Sequence, residues 1–335
     1  MSSTPTATET AKRPTARASF ASSWASQIGI TAAFFLLWGT FIVAAPGTFL
    51  KQDIYLSFAQ TTPYFAIVAV TLTMVIVAGD IDLSFGSIMA LGMVGFVWTW
   101  EATGSTELGV LAALGVGGLA GLFNGLMVTF VGIPSLVVTI GTQYLFRGLT
   151  LVLVGGRQFP LVETRDSTIY GLLAGKLAGI PTEFYWLVFI SIATWVILNR
   201  HRIGQNAYVI GDNRQAAQLM GIPIRRTRVL LFVLVGLAAA FAGLLNSLRV
   251  VNFYPGALGS GFFLPALAAV FVGGTSVFGG RGSVGGTFIG AFMMGGIAAG
   301  IVAAGLTDYW TGFIYGAIIL ISVSIHAVLQ RRFER

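Results

Sequence analysis

From Ile28 onward the chain alternates apolar runs of about twenty residues with short polar breaks. That length suits an α-helix crossing about 30 Å of hydrocarbon, whereas a transmembrane β-barrel shows alternating segments of about ten residues. The pattern predicts spans over 28–45, 64–78, 85–100, 108–131, 134–154, 185–198, 229–248, 262–274, 284–304 and 309–328. The eighth is short and ends in a glycine cluster, so it is either a span or a re-entrant segment. The expected fold is an all-α integral membrane protein, a polytopic helical bundle of about ten transmembrane helices.

The polar segments set the domain plan. Residues 1–24 are rich in Thr, Ser and Ala without apolar periodicity, and are expected to be a disordered cytoplasmic tail. The first apolar run is too long for the core of a cleaved signal peptide and is read as a helix that stays. Residues 25–330 form one transmembrane domain, and 331–335 a basic tail. Residues 48–63 and 155–183 are read as outer segments. One polar stretch stands apart: 199–228, NRHRIGQNAYVIGDNRQAAQLMGIPIRRTR, holds six of the nineteen Lys and Arg residues. Basic residues beside spans are retained on the cytoplasmic side. With both termini cytoplasmic, ten spans put this loop and most other basic residues inside.

Composition agrees: 56% of residues are hydrophobic and 9% charged, against about 25% charged in a soluble domain. The 44 glycines fit close helix packing in a membrane. The net charge of +7 maps onto the cytoplasmic segments, so it signals topology and no nucleic-acid partner. With no cysteine, disulfides and thiolate metal sites are excluded.

Catalytic signatures are missing. The GxxxxGK[ST] loop is absent, since the only Gly-Lys pair, Gly175-Lys176, precedes Leu177. His201 and His326 lie far apart and no HExxH motif occurs, so no metal, cofactor or catalytic residue is expected in this chain. Ion-coupled carriers keep charges within their spans; here Arg147 is the clear case, either paired with backbone carbonyls or lining a path. Asp80, Asp82 and Ser84 lie at a span boundary, where they cap the next helix or form a proton or sodium relay; the cap is the more economical reading. Asn124, Gln143, Tyr144 and Asn246 are span-borne polar groups that either line a pathway or serve helix packing.

Within the basic loop, Asp212 or Asn213 can cap two helical turns over 214–220 that Gly221 ends in the left-handed conformation. Ala216 and Ala217 leave part of this helix flat, for a partner protein or simply as a capped turn. The run from Gly273 and Gly274 to Gly282 reads as a packed backbone reversal near the cytoplasmic side; its spacing fits no nucleotide fingerprint.

Three ordered motifs, AGDIDLSFGSIMALG (78–92), GDNRQAAQLMGI (211–222) and ALAAVFVGGTSVFGGRGSVGGTFIGA (266–291), resemble the permease subunits of bacterial sugar ABC importers of the ribose, xylose and arabinose type. The resemblance runs from about Tyr64 to the end. It implies alternating access in the bacterial inner membrane, a periplasmic substrate-binding protein, a second permease copy or paralogue, and a separate ATPase subunit that binds ATP and Mg. It also implies a coupling helix, carried here by Gly211, Asn213, Ala216, Ala217, Gly221 and Ile222. The residues' own polarity and position, and not the resemblance, make Asp80, Asp82, Ser84, Asn124, Gln143, Tyr144, Asn246, Gly273 and Gly274 the candidates for a pathway or gate. One departure is plain: where many of these permeases have Glu-Leu-Asp-Ala, this chain has Phe263-Leu264-Pro265-Ala266, which leaves the sugar or polyol open. The rival readings are a branched-chain amino-acid or nucleoside ABC permease and a stand-alone secondary transporter.

Overall fold

A computed structural model describes residues 16–307 and 309–333. The tail expected over 1–24 lies outside the described residues as far as residue 15, and α1 (Ala16–Ala44) begins there. The chain continues through α2 (Pro46–Phe49), α3 (Gln52–Thr61), α4 (Pro63–Val77), α5 (Phe85–Thr103) and α6 (Thr106–Leu126), which passes into a π-helical turn over Met127–Val131. Next come α7 (Ser135–Val154), the short α8 (Tyr170–Ala174), α9 (Thr182–Arg200), α10 (Arg202–Asp212) and α11 (Arg214–Leu219). The long α12 (Ile224–Val250), α13 (Phe263–Val272), α14 (Val284–Ala303) and α15 (Tyr309–Phe333) complete the bundle.

Every predicted span carries a helix, but not every helix is a full span. Among the described residues seven helices are long and apolar enough to cross a membrane, or eight if the bent pair α3–α4 is counted as one span. Residues 48–63, expected as an outer segment, hold the end of α2 and all of α3. Pro63 stands at the start of α4, where its missing N–H interrupts the ladder from α3, and the two helices meet at 52°. Helix α13 has ten residues, about 15 Å at 1.5 Å per residue, half the hydrocarbon thickness. The chain is a polytopic helical membrane protein.

Its core is α4, α5, α6 and α12. Gly117, Gly121 and Gly125 recur at four-residue spacing on α6 and form a furrow against α12: a Cβ on Gly121 would lie 2.3 Å from the carbonyl oxygen of Phe232. Reciprocally, a Cβ on Gly236 would lie 2.3 Å from the oxygen of Gly117. Small residues let the two backbones touch, which is how membrane helices gain packing energy without a hydrophobic drive. On the other side, α4 meets α14 through a hydroxyl pair, Thr73 Oγ1 to Thr287 Oγ1 at 2.8 Å.

The excursion between α7 and α9 folds onto the same end as the C-terminus of α12. Strand β1 (Phe159–Pro160) pairs antiparallel with Asn252–Phe253, and β2 (Lys176–Leu177) with β3 (Ile180–Pro181). Arg249 anchors this end: it donates from Nε and an Nη to the two carboxylate oxygens of fully buried Glu183, both at 2.6 Å, and to the carbonyl of Gly175 at 3.0 Å.

Candidate functional site

At the opposite end of α12 the three sequence motifs come together. Helix α4 stops at Val77, and Gly79, at φ +80°, turns the chain away. The next residue, Asp80, receives both Nε and an Nη of Arg228, a bidentate ion pair whose side chains are only 5% and 7% exposed. Arg228 lies in the first turns of α12, so the pair ties the broken end of α4 to the start of that helix.

Gly211, the last glycine of α10, sits directly against this break. A Cβ there would lie 1.9 Å from the oxygen of Val77 and 2.6 Å from the nitrogen of Gly280. That nitrogen itself donates to Val77 O at 2.9 Å. Gly279 and Gly280 both have positive φ, a conformation glycine takes without steric cost, so their loop can reach backbone to backbone between α4 and α10. Tyr208 Oη donates to the carbonyl of Gly282 at 2.9 Å and seals the contact; burial pushes this phenol above its ordinary pKa.

Below the junction lies a fully buried polar cluster. Asp82 Oδ1 accepts the amide of Ser84 at 2.8 Å and its hydroxyl at 2.7 Å, and Asn124 Nδ2 donates to Ser84 Oγ at 2.7 Å. Asp82 Oδ2 and Asn124 Oδ1 have no protein partner among the described residues. Burial raises the pKa of Asp82, against the lowering effect of its hydrogen bonds from the Ser84 amide and hydroxyl. Neither carboxylate caps α5: Asp80 pairs with Arg228, and Asp82 holds the residue before the helix, not its first free amides. The expected cap is therefore replaced by an ion pair and a side-chain network.

The loop read as one helix contains two. Helix α10, which the sequence reading passed over, turns Gly204, Ala207 and Ile210 inward; their spacing of three residues was the available signal. Helix α11 covers 214–219 with Asn213 as its cap, Oδ1 accepting from Ala216 N at 2.9 Å, and Gly221 at φ +71° closes it. The flat face expected at Ala216 and Ala217 is not offered to solvent: Ala217 is fully buried and Ala216 half-buried. Leu219 (90% exposed) and Met220 (62%) form the projecting knob instead, while Ile222 is half-buried.

The remaining expected pathway residues divide. Gly273 packs against the start of α14, where a Cβ would lie 2.5 Å from the nitrogen of Thr287, and Gly274 follows with φ +82°. Gln143 meets the cluster only through its backbone carbonyl, which accepts Ser87 Oγ at 2.7 Å. Tyr144 points outward, 74% exposed, and half-buried Asn246 makes no hydrogen bond to the junction. Arg147 takes the first of its two readings: its guanidinium donates to the carbonyls of Pro255 and Leu258, both at 2.8 Å. Sequence reasoning missed the Arg228 partner of Asp80, 148 positions away, for which no local signal exists.

A break in one span, locked to a polar loop at one end of a helical bundle, marks a polytopic helical membrane protein with a built junction between three of its segments. Comparison with known families makes that specific. Residues 54–323 match the family described as "Branched-chain amino acid transport system / permease component", and the chain belongs to it. The ribose import permease protein RbsC of Escherichia coli strain K12 is 29% identical over 307 residues, 91% of this chain and 95% of its own. The probable ABC transporter permease protein y4mJ of Sinorhizobium fredii is 32% identical, covering 94% and 93%. The xylose transport system permease protein XylH of Escherichia coli K12 is 36% identical over 48% of this chain and 40% of its own. No solved structure matches. The resemblance to sugar ABC importer permeases drawn from the three motifs holds over nearly the whole chain.

Proposed function

We propose that the chain is the membrane subunit of an ATP-binding-cassette importer that moves a sugar or polyol across the bacterial inner membrane. A separate ATPase binds ATP and Mg, docks on α10–α11 and drives alternating access; a periplasmic protein delivers the substrate; a second copy or a paralogue completes the pathway. In this reading both termini are cytoplasmic and ten segments traverse or enter the membrane, α13 with the glycine loop behind it as a half-span. The observation that carries the proposal is the backbone contact between Gly211, Val77 and Gly280. A push on α11 passes through α10 to the break in α4 and to the loop ahead of α14, without a flexible link between.

The test follows from the knob. Leu219→Glu with Met220→Glu puts two charges where apolar contact is needed, and burying each such side chain contributes about 1.5–3 kcal/mol. In proteoliposomes with the cognate ATPase and binding protein, uptake should fall at least about tenfold while membrane insertion and monodispersity stay unchanged. Unaltered uptake would remove the docking role from α11.

The substrate class rests on the names of the ribose and xylose relatives. The positions of the acidic pair in that group are taken by Phe263, stacked on Phe85 at 5.9 Å, and Pro265, so the ligand need not be a pentose. The family description itself keeps branched-chain amino acids as the second reading. Uptake of labelled pentose, hexitol and leucine in the same vesicles separates the two.

A further inference from the structure

Between α12 and α13 the chain enters the membrane as irregular backbone. After Asn252–Phe253 pairs with Phe159–Pro160, residues 254–259 form only turns, and a single tight turn over Ser260–Phe262 leads into α13. Two contacts fix the depth of this loop. Arg147, which holds the carbonyls of Pro255 and Leu258, is seven residues, about 10 Å, from the Val154 end of α7. Deeper still, Gly259 lies against Gly86, where a Cβ would be 2.1 Å from the Gly86 oxygen. Neighbouring Ser87 donates to the carbonyl of Gln143, the ninth of the twenty residues of α7. The loop therefore reaches about the middle of a helix that is about 30 Å long.

The surface exposed at that depth is polar. Tyr254 is 42% exposed, and Gly256, Ala257, Ser260 and Gly261 are exposed beside it. The Gly256 amide has no hydrogen bond among the described residues. On α7, Tyr144 stands one turn from Arg147, 74% exposed, and its phenol has no partner among the described residues either. Lipid does not suit this face: irregular backbone at membrane depth is tolerated only where protein buries it or water bathes it, and tyrosine is enriched at the membrane interfaces. A dry seam with a second copy suits it no better, because a two-fold axis sets a surface against its own image and a free amide would meet an amide. We infer that residues 254–261 and Tyr144 line the water-filled path by which the substrate crosses the membrane. This rests on the importer reading above and adds the place where the path runs, with Arg147 holding the loop in position.

The chain has no cysteine, so single introduced thiols report on water directly. Ser260→Cys is compared with Leu119→Cys, a position 66% exposed near the middle of the span Thr106–Val131. Both are reconstituted in proteoliposomes with membrane-impermeant sulfonatoethyl methanethiosulfonate on both sides. The reagent attacks the thiolate, and each unit by which desolvation raises a thiol pKa cuts that form about tenfold. Ser260→Cys should therefore react at least about tenfold faster than Leu119→Cys. With the cognate ATPase present and the reagent on the outer side alone, its rate should change at least about fivefold between the nucleotide-free and the ATP–vanadate-trapped states. Equal rates at the two positions overturn the water-filled face. So does a Ser260→Cys variant that resists the reagent but forms an intermolecular disulfide with copper phenanthroline, the mark of a dry seam. Fast labelling that ignores nucleotide overturns the path and leaves a static water pocket. Failure of the importer reading shows itself apart, as a chain that binds no ATPase, and the comparison of the two variants is read without that subunit.

Discussion

Replacing Asp80 by Asn removes one charge from the buried ion pair at the motif junction and changes almost nothing in shape. Arg228 then keeps its charge at a site where its side chain is 7% exposed, and its remaining Nη1 already lacks a partner among the described residues. Removing one member of such a pair costs about 3–5 kcal/mol, chiefly because the other charge stays buried and unpaired. At about 2 °C per kcal/mol for a chain of this size, the melting temperature in detergent should fall by about 6–10 °C. The companion double variant, Asp80→Leu with Arg228→Met, removes both charges and should be much less damaging than the single change, because an apolar pair of similar volume often matches a buried ion pair in stability. Fluorescence-detected size-exclusion chromatography after heating measures all three proteins. If Asp80→Asn melts within about 1 °C of the unaltered chain, or if the double variant melts no higher than Asp80→Asn, the pair is not the tie between α4 and α12 described above.

Two further outcomes follow from the same region. Gly211→Ala places a methyl group 1.9 Å from Val77 O and 2.6 Å from Gly280 N, both backbone atoms that cannot swing aside, so the variant should lose several kcal/mol and coupled uptake with it; normal uptake would show that the contact opens freely. Asp82→Asn, in contrast, keeps the acceptor used by Ser84 and adds a donor where Oδ2 has no partner. Because the folded-state pKa of Asp82 is raised, the folded chain binds the proton more tightly than the unfolded one. Stability contributed by this group is present below the ordinary Asp pKa of about 3.9 and declines as pH rises above it. The Asn variant should therefore be at least as stable as the parent at pH 7 and lose that part of the pH dependence, read by thermal melts across pH 4–8.

How far the sequence reaches is clearest residue by residue. The spans were legible because apolar length is imposed by the solvent, and each predicted run carries a helix. The cap and closing glycine of α11 were legible because Asn213 and Gly221 act on amides within a few positions of themselves. Helix α10 was overlooked, since its inward face is made by Gly204, Ala207 and Ile210, two of them too small to register as an apolar stripe. The burial of Ala217 was equally hidden: whether a small side chain faces solvent or a neighbour is decided by where α10 and α12 place the helix. Asp80 and Arg228 are bound by the fold alone, as are the facing glycines of the junction, so composition suggested close packing without saying which backbones meet. For Arg147 the two readings could be told apart only when the loop carrying Pro255 and Leu258 was in view.

The two ion-paired arginines on α12 have a mechanical consequence. Arg228 and Arg249 are about 32 Å apart along that helix, close to the thickness of the hydrocarbon layer, and each is held by a bidentate carboxylate near 2.6 Å. Sliding α12 by a full turn, about 5.4 Å, would pull both pairs well beyond hydrogen-bonding distance. The helix is thus pinned at both faces like a mast stepped at keel and deck. It cannot act as a piston, and whatever opens the path has to swing around it.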